Sequence, residues 1–139
     1  MKIYISASWK HQHAVEMLTE KLRNLGCEVI SFVEKAVSDE GRTDLQFDLT
    51  TWIWSDDGYK KFLYDIDGAM NSDLVIYIGP SGLDAWAEVG AAFGSGVPIF
   101  ALEAKGETVG LMRRMVRWFD SVELLLLGII DLAKEMESS

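Results

Sequence analysis

A single cysteine, Cys27, stands in a chain of 139 residues. One thiol builds no internal disulfide and no thiolate metal cluster, and the chain reads as cytoplasmic. Basic residues are scarce: 13 Lys and Arg against 22 Asp and Glu leave a formal net charge of −9. That balance argues against a nucleic-acid groove or an anionic membrane as partner. Long apolar runs are missing too. "VELLLLGII" (122–130) is too short to span a bilayer, and "MKIYISAS" lacks the length and flanks of a signal peptide. Histidine is limited to His11 and His13, which open a helix two residues apart without sharing a face. They read as surface residues; no metal site and no cofactor are expected. The P-loop, G-x-G-x-x-G and G-x-S-x-G patterns are all missing. "GSGVP" (94–98) looks like a helix stop before a strand rather than a phosphate cradle.

What the chain does have is apolar residues, at 49%, and five tryptophans. This suits one domain, residues 1–139, with a real core. "KIYIS" (2–6) reads as a strand. Ala14, Val15, Leu18, Leu22 and Leu25 then recur at helical spacing up to a C-capping Gly26. "CEVISFV" (27–33) reads as a second strand, and the polar "EKAVSDEGRTD" (34–44) as a loop. Residues 46–72 are mixed, with a helix over the later part. "LVIYIG" (74–79) is a continuous apolar run, as in a strand buried on both faces. A helix follows, then a strand at "VPIFAL" (97–102). "ETVGLMRRMVRWF" (107–119) reads as a short helix, "DSV" (120–122) as a last strand, and "ELLLLGIIDLAKEME" as a closing helix. Alternating strands and helices predict an α/β, flavodoxin-like or Rossmann-like three-layer sandwich. Its five-stranded, mainly parallel sheet should have the order 2-1-3-4-5.

In that topology ligands bind beyond the carboxyl ends of the strands, at the switch point between strands one and three. The loops there are "SASWK" and "GPSGLD". The second leads into "LDAWAEVGAAFGSGVP" (83–98), where one carboxylate, Glu88, sits among small apolar residues and glycines. With Ser81 as N-cap, Asp84 and Glu88 share one helix face. Two carboxylates partly dried by Trp86 and glycines would push one pKa upward and suit acid–base or nucleophilic work. The plainer alternative is a capping Asp84 and a solvated Glu88. In "YDIDGAMNSD" Asp65 reaches toward the same crevice or faces water. Tyr4 is a phenol inside strand one and needs a hydrogen-bond partner if buried. Trp9, Trp52 and Trp54 either stack on a base or simply pack, and Arg113, Arg114 and Arg117 read as a solvated basic face.

Together, "KIYISASW", "YDIDGAMNSDLVIYIG" and "AWAEVGAAFGSGVPIFAL" resemble the nucleoside 2-deoxyribosyltransferase family and its nucleotide N-glycosidase relatives. The third segment resembles the family's E-x-G-x-A-x-x-x-G-x-P signature, whose glutamate is the nucleophile; that residue is Glu88. The resemblance implies retaining cleavage of an N-glycosidic bond, through a covalent ester between Glu88 and the sugar and transfer to a second base or to water. It implies that Tyr4 orients Glu88 and that Asp65 binds or protonates the base. Trp9, with Trp52 or Trp54, would wall the base pocket. Ser6, Ser8, Gly79, Ser81 and Asp84 would border a small-molecule nucleoside or nucleotide. Family members assemble as homo-oligomers, so a dimer or larger is expected. Gly82 stands six residues before Glu88, where the family carries an aspartate or serine, which leaves the sugar contact to Ser81 or Asp84. Serines in the first turn place Ser6, Ser8 and Lys10 where a phosphate would lie, and keep a monophosphate N-glycosidase open. The layout also resembles a TIR-like domain that cleaves NAD or acts as an adaptor, though "WAE" does not meet its W-C-x-x-E spacing. A nucleotide sensor without turnover is the third reading.

Overall fold

The computed structural model describes residues 1–32 and 48–138. Five parallel strands form one sheet: β1 (Lys2–Ala7), β2 (Glu28–Ser31), β3 (Leu74–Ile78), β4 (Ile99–Leu102) and β5 (Arg117–Phe119). Their spatial order is β2-β1-β3-β4-β5, as the sequence pattern predicts. The helices are α1 (Gln12–Asn24), α2 (Leu49–Ile53), α3 (Asp56–Asn71), α4 (Leu83–Gly94) and α5 (Val122–Glu137).

Side chains alternate across the sheet, as the two-residue period of a strand requires. Ile3, Ile5, Leu74 and Ile76 face one layer, with Leu22 of α1 and Leu125 and Ile129 of α5. Tyr4, Val75 and Tyr77 face the other, with Ala69 of α3 and Ala85, Val89 and Ala92 of α4. Each fully buried Ile or Leu contributes about 1.5–3 kcal/mol. The second layer is built from small residues, so its helices lie close to the sheet. Gly68 of α3 is the extreme case, because a Cβ there would overlap the Tyr4 ring.

Three local expectations need correction. The second strand is shorter than 27–33 and ends at Ser31. The last strand is Arg117–Phe119, not 120–122: Ser121 accepts a hydrogen bond from the Leu124 amide and caps α5, which makes Val122 its first residue. Within 107–119 the only helical turn is a 3₁₀ turn at Leu111–Met115, after the extended Gly110. The polar stretch 34–44 lies outside the described residues. Among the described residues no helix is long and apolar enough to cross a membrane.

Candidate active site

The strand order reverses between β1 and β3, so the loops after these strands diverge and leave a crevice. Two ties hold its rims together. The Ser8 amide donates to Ser81 Oγ at 2.9 Å, and His11 Nε2 donates to the Pro80 carbonyl at 2.6 Å. Ser81 is fixed from behind, because its Oγ donates to the Ile78 carbonyl and its amide donates to the Tyr77 hydroxyl. Ser81 is therefore not the N-cap of α4. Gly82 takes that position and makes no side-chain cap. The expected capping box fails because the Ser81 hydroxyl is already committed to the two loops.

Between the rims lies a cavity of about 350 Å³, bordered by Tyr4, Ser8, Trp9, Asp65, Asp84 and Glu88 among others. Glu88 projects into it from the second turn of α4. One of its oxygens, Oε1, accepts from Tyr4 Oη at 3.0 Å and from Ser6 Oγ at 2.8 Å. Two neighbouring side chains of β1 facing the α4 layer thus grip one carboxylate oxygen. Burial is the main reason the Glu88 pKa is pushed up to about 8; the charge of Asp65 adds to it, and the Ser6 and Tyr4 hydrogen bonds oppose it. Burial and the neighbouring Glu88 carboxylate keep the Tyr4 phenol protonated, far above its ordinary range, so it acts as a fixed donor.

Asp65 occupies the opposite wall, on α3. Burial raises its pKa, while the ammonium of Lys61 at 2.5 Å pulls it back down. Lys61 is only 3% exposed and stands one helical turn earlier. Its ammonium lies 5.7 Å from the centroid of the Phe32 ring and 5.4 Å from that of Tyr64. The sequence reading missed Lys61, although the K-x-x-x-D spacing of "KFLYD" was a usable signal.

The remaining candidates divide. Trp9 packs edge-on to Phe32, with ring centroids 4.8 Å apart. Its indole N–H and the hydroxyl of Ser8 are buried without a hydrogen-bond partner among the described residues, and both residues border the cavity. Such groups are costly to leave unpaired. Ser6 is fully buried, and its hydroxyl is spent on Glu88 and on the Ala85 carbonyl rather than open to a ligand. Gly79 does not border the cavity. It admits no side chain, because a Cβ would overlap Glu107 and the Tyr77 ring. Lys10 is exposed on the turn after β1, Trp54 is exposed, and neither they nor Trp52 border the cavity. His11 is half-buried and ties the rims, a role its sequence context did not suggest. Among the described residues no three His, Cys, Asp or Glu side chains gather as a metal site.

The fold is shared with solved structures. A 2-deoxyribosyltransferase from Bacillus psychrosaccharolyticus superposes with a TM-score of 0.67 at 19% identity, over 90% of each chain. The CMP N-glycosidase BcmB of Clostridium botulinum gives 0.60 at 18% identity, over 93% of this chain and 98% of that one. A conserved protein of Enterococcus faecalis V583 gives 0.54 at 22% identity, over 82% and 70%. No protein-family model matches the chain, and no curated protein matches it.

Proposed function

We propose that the chain is a nucleoside 2-deoxyribosyltransferase-like enzyme that cleaves the N-glycosidic bond of a nucleoside or nucleotide, with Glu88 as nucleophile. The observation that carries this reading is the grip on Glu88. A carboxylate with one oxygen fixed by Tyr4 and Ser6 presents the other oxygen, in one orientation, to a cavity sized for a nucleoside. The shared fold with a deoxyribosyltransferase and an N-glycosidase supports the same reaction class.

In the first step the ionised Glu88 attacks C1′ from the face opposite the base. The C1′–N bond breaks, its electron pair leaves with the base, and an ester forms between Glu88 and the sugar. Asp65, its pKa raised by burial and lowered by Lys61, binds the departing base or hands it a proton. In the second step the nitrogen of another base, or water, attacks C1′. The ester opens, Glu88 regains its carboxylate, and the net configuration is retained. Tyr4 and Ser6 hold Oε1 through both steps, and Trp9 and Ser8 offer polar atoms to the bound substrate. A homo-oligomer belongs to the same proposal: Trp54, Tyr59 and Phe62 leave apolar surface on and beside α3, for which light scattering gives the test.

Incubation with deoxyadenosine plus cytosine, with dAMP alone and with NAD, followed by chromatography, tests the reaction. Base exchange or free base supports the proposal. Nicotinamide release would favour a TIR-like enzyme instead, and binding without product a sensor.

A further inference from the structure

Away from the cavity wall, two buried polar atoms without a hydrogen-bond partner among the described residues converge on one place: Glu107 Oε1 and Trp86 Nε1. Glu107 is 9% exposed and lies on the loop after β4. Gly106, with φ of +80°, turns that loop beside Pro80. The carboxylate fills the space that Gly79 leaves, because a Cβ on Gly79 would overlap Glu107 Oε1 and also the ring and hydroxyl of Tyr77. Its other oxygen, Oε2, accepts from the Thr108 amide at 2.7 Å. Trp86, on the first turn of α4, lies against the same tyrosine, with ring centroids 4.9 Å apart.

Tyr77 is fully buried, and its hydroxyl offers one proton and two lone pairs. One lone pair takes the Ser81 amide at 2.9 Å. A lone pair and the proton remain, and the two unpaired atoms beside them are one N–H donor and one carboxylate acceptor. Burial first, and the Glu107 carboxylate second, push the Tyr77 pKa up to about 12, so the phenol keeps its proton to give. Leaving such buried groups unpaired is costly, whereas a hydrogen bond to a carboxylate is among the stronger ones.

On the reading that Glu88 is the nucleophile, we infer that Glu107 is a positioning residue that acts through Tyr77. Glu107 Oε1 takes the phenol proton, which turns the lone pairs of Tyr77 toward the Ser81 amide and the Trp86 indole N–H. Ser81 carries the tie to Ser8 across the cavity rim, and Trp86 stands two residues before Glu88 on α4. One carboxylate outside the cavity thereby sets both the rim and the helix that presents Glu88.

The test uses the whole chain and reads the Tyr77 hydroxyl proton, amide hydrogen exchange, and kinetics with deoxyadenosine plus cytosine. The hydroxyl proton should give a slowly exchanging, downfield NMR signal that shifts in Glu107→Gln and vanishes in Tyr77→Phe. Exchange at the Ser81 and Ser8 amides should rise about 10-fold in Glu107→Ala, with the amides of the β1 core unchanged. It should stay near the parent rate in Glu107→Gln, which keeps an acceptor. On a Tyr77→Phe background, Glu107→Ala should add nothing further at Ser81. In Glu107→Ala, KM for the nucleoside should rise more than kcat falls, and Glu107→Gln should recover most of the loss. No such proton signal, unchanged exchange or kinetics in Glu107→Ala, or Glu107→Gln as damaging as Glu107→Ala would overturn the inference. If Glu107→Ala does not fold, the shift of the hydroxyl signal in Glu107→Gln decides alone. A chain that turns over no nucleoside, yet shows the proton signal and the exchange pattern, would sink the catalytic reading and keep Glu107 as the support of rim and helix.

Discussion

Replacing Glu88 with Gln should stabilise the protein, and only above about pH 4.5. In the folded chain burial holds the Glu88 carboxyl near pKa 8, against an ordinary 4.5. The unfolded chain therefore loses this proton first. Below about pH 4.5 both states are protonated, and the stabilising proton is fully in place. As pH rises from there to about 8, the unfolded state ionises while the folded state does not, so stability falls steadily. Above 8 both are ionised and the loss is complete. At about 1.36 kcal/mol per pH unit, the total is roughly 5 kcal/mol. That is a large part of the 5–15 kcal/mol typical of a whole domain (about 10 in the middle of that range). Glutamine is nearly isosteric with the protonated acid and does not titrate. The melting temperatures of the two proteins should therefore run close together near pH 5, diverge up to pH 8 in favour of Glu88→Gln, and stay apart above it. Calorimetric scans across pH 4–10 provide the comparison. Parallel pH curves would refute the claim that Glu88 is held dry and strained toward neutrality, because a solvated glutamate has no such window. A site residue that costs stability when ionised is what a functional carboxylate looks like.

Other expectations follow from the same geometry. Because Glu88 attacks in its ionised form, kcat/KM should climb about tenfold per pH unit below 8 and level off above; a flat profile from pH 6 to 9 would contradict this. Asp65→Asn removes a charge that raises the Glu88 pKa, so the midpoint of that profile should move to lower pH even as base departure slows. Gly68→Ala drives a methyl into the Tyr4 ring and should cost about 1–3 kcal/mol by denaturant melt, with a fall in kcat beyond the loss of folded protein. Ser81→Ala breaks a rim tie, and about 1 kcal/mol of stability should go with it. Its KM should rise more than its kcat falls, since Glu88 keeps both its donors.

Much of the architecture was legible because parallel α/β folds announce themselves in period and punctuation. The apolar run 74–79 read as a strand buried on both faces, which the structure places at 74–78, and Gly26, with φ of +90°, stops α1 where the sequence suggested. The end of the chain was harder. Asp120–Ser121–Val122 looks β-like locally, but a serine three residues before an amide in need of a partner becomes a cap. At the site, Glu88 and Tyr4 were visible as a lone carboxylate in a small-residue helix and a phenol in a buried strand. Their partners were not. The sequence groups Ser6 with the first-turn serines as a phosphate ligand, yet it lies within β1, which turns it toward Glu88. Lys61 sits in a run of mixed charge, marked only by its K-x-x-x-D spacing to Asp65. Ser81 and His11 meet across 73 and 69 residues of chain, respectively, with Ser8 and Pro80, a distance no local pattern spans.

The most direct test is to trap the intermediate. A 2′-fluoro nucleoside, whose electronegative substituent slows departure from the sugar, would be mixed with the protein, quenched in acid and digested for mass spectrometry. The account predicts one equivalent of released base and one sugar residue on the peptide that carries Glu88, with no adduct in Glu88→Gln. Base release without any adduct, or a sugar attached to another residue, would contradict it.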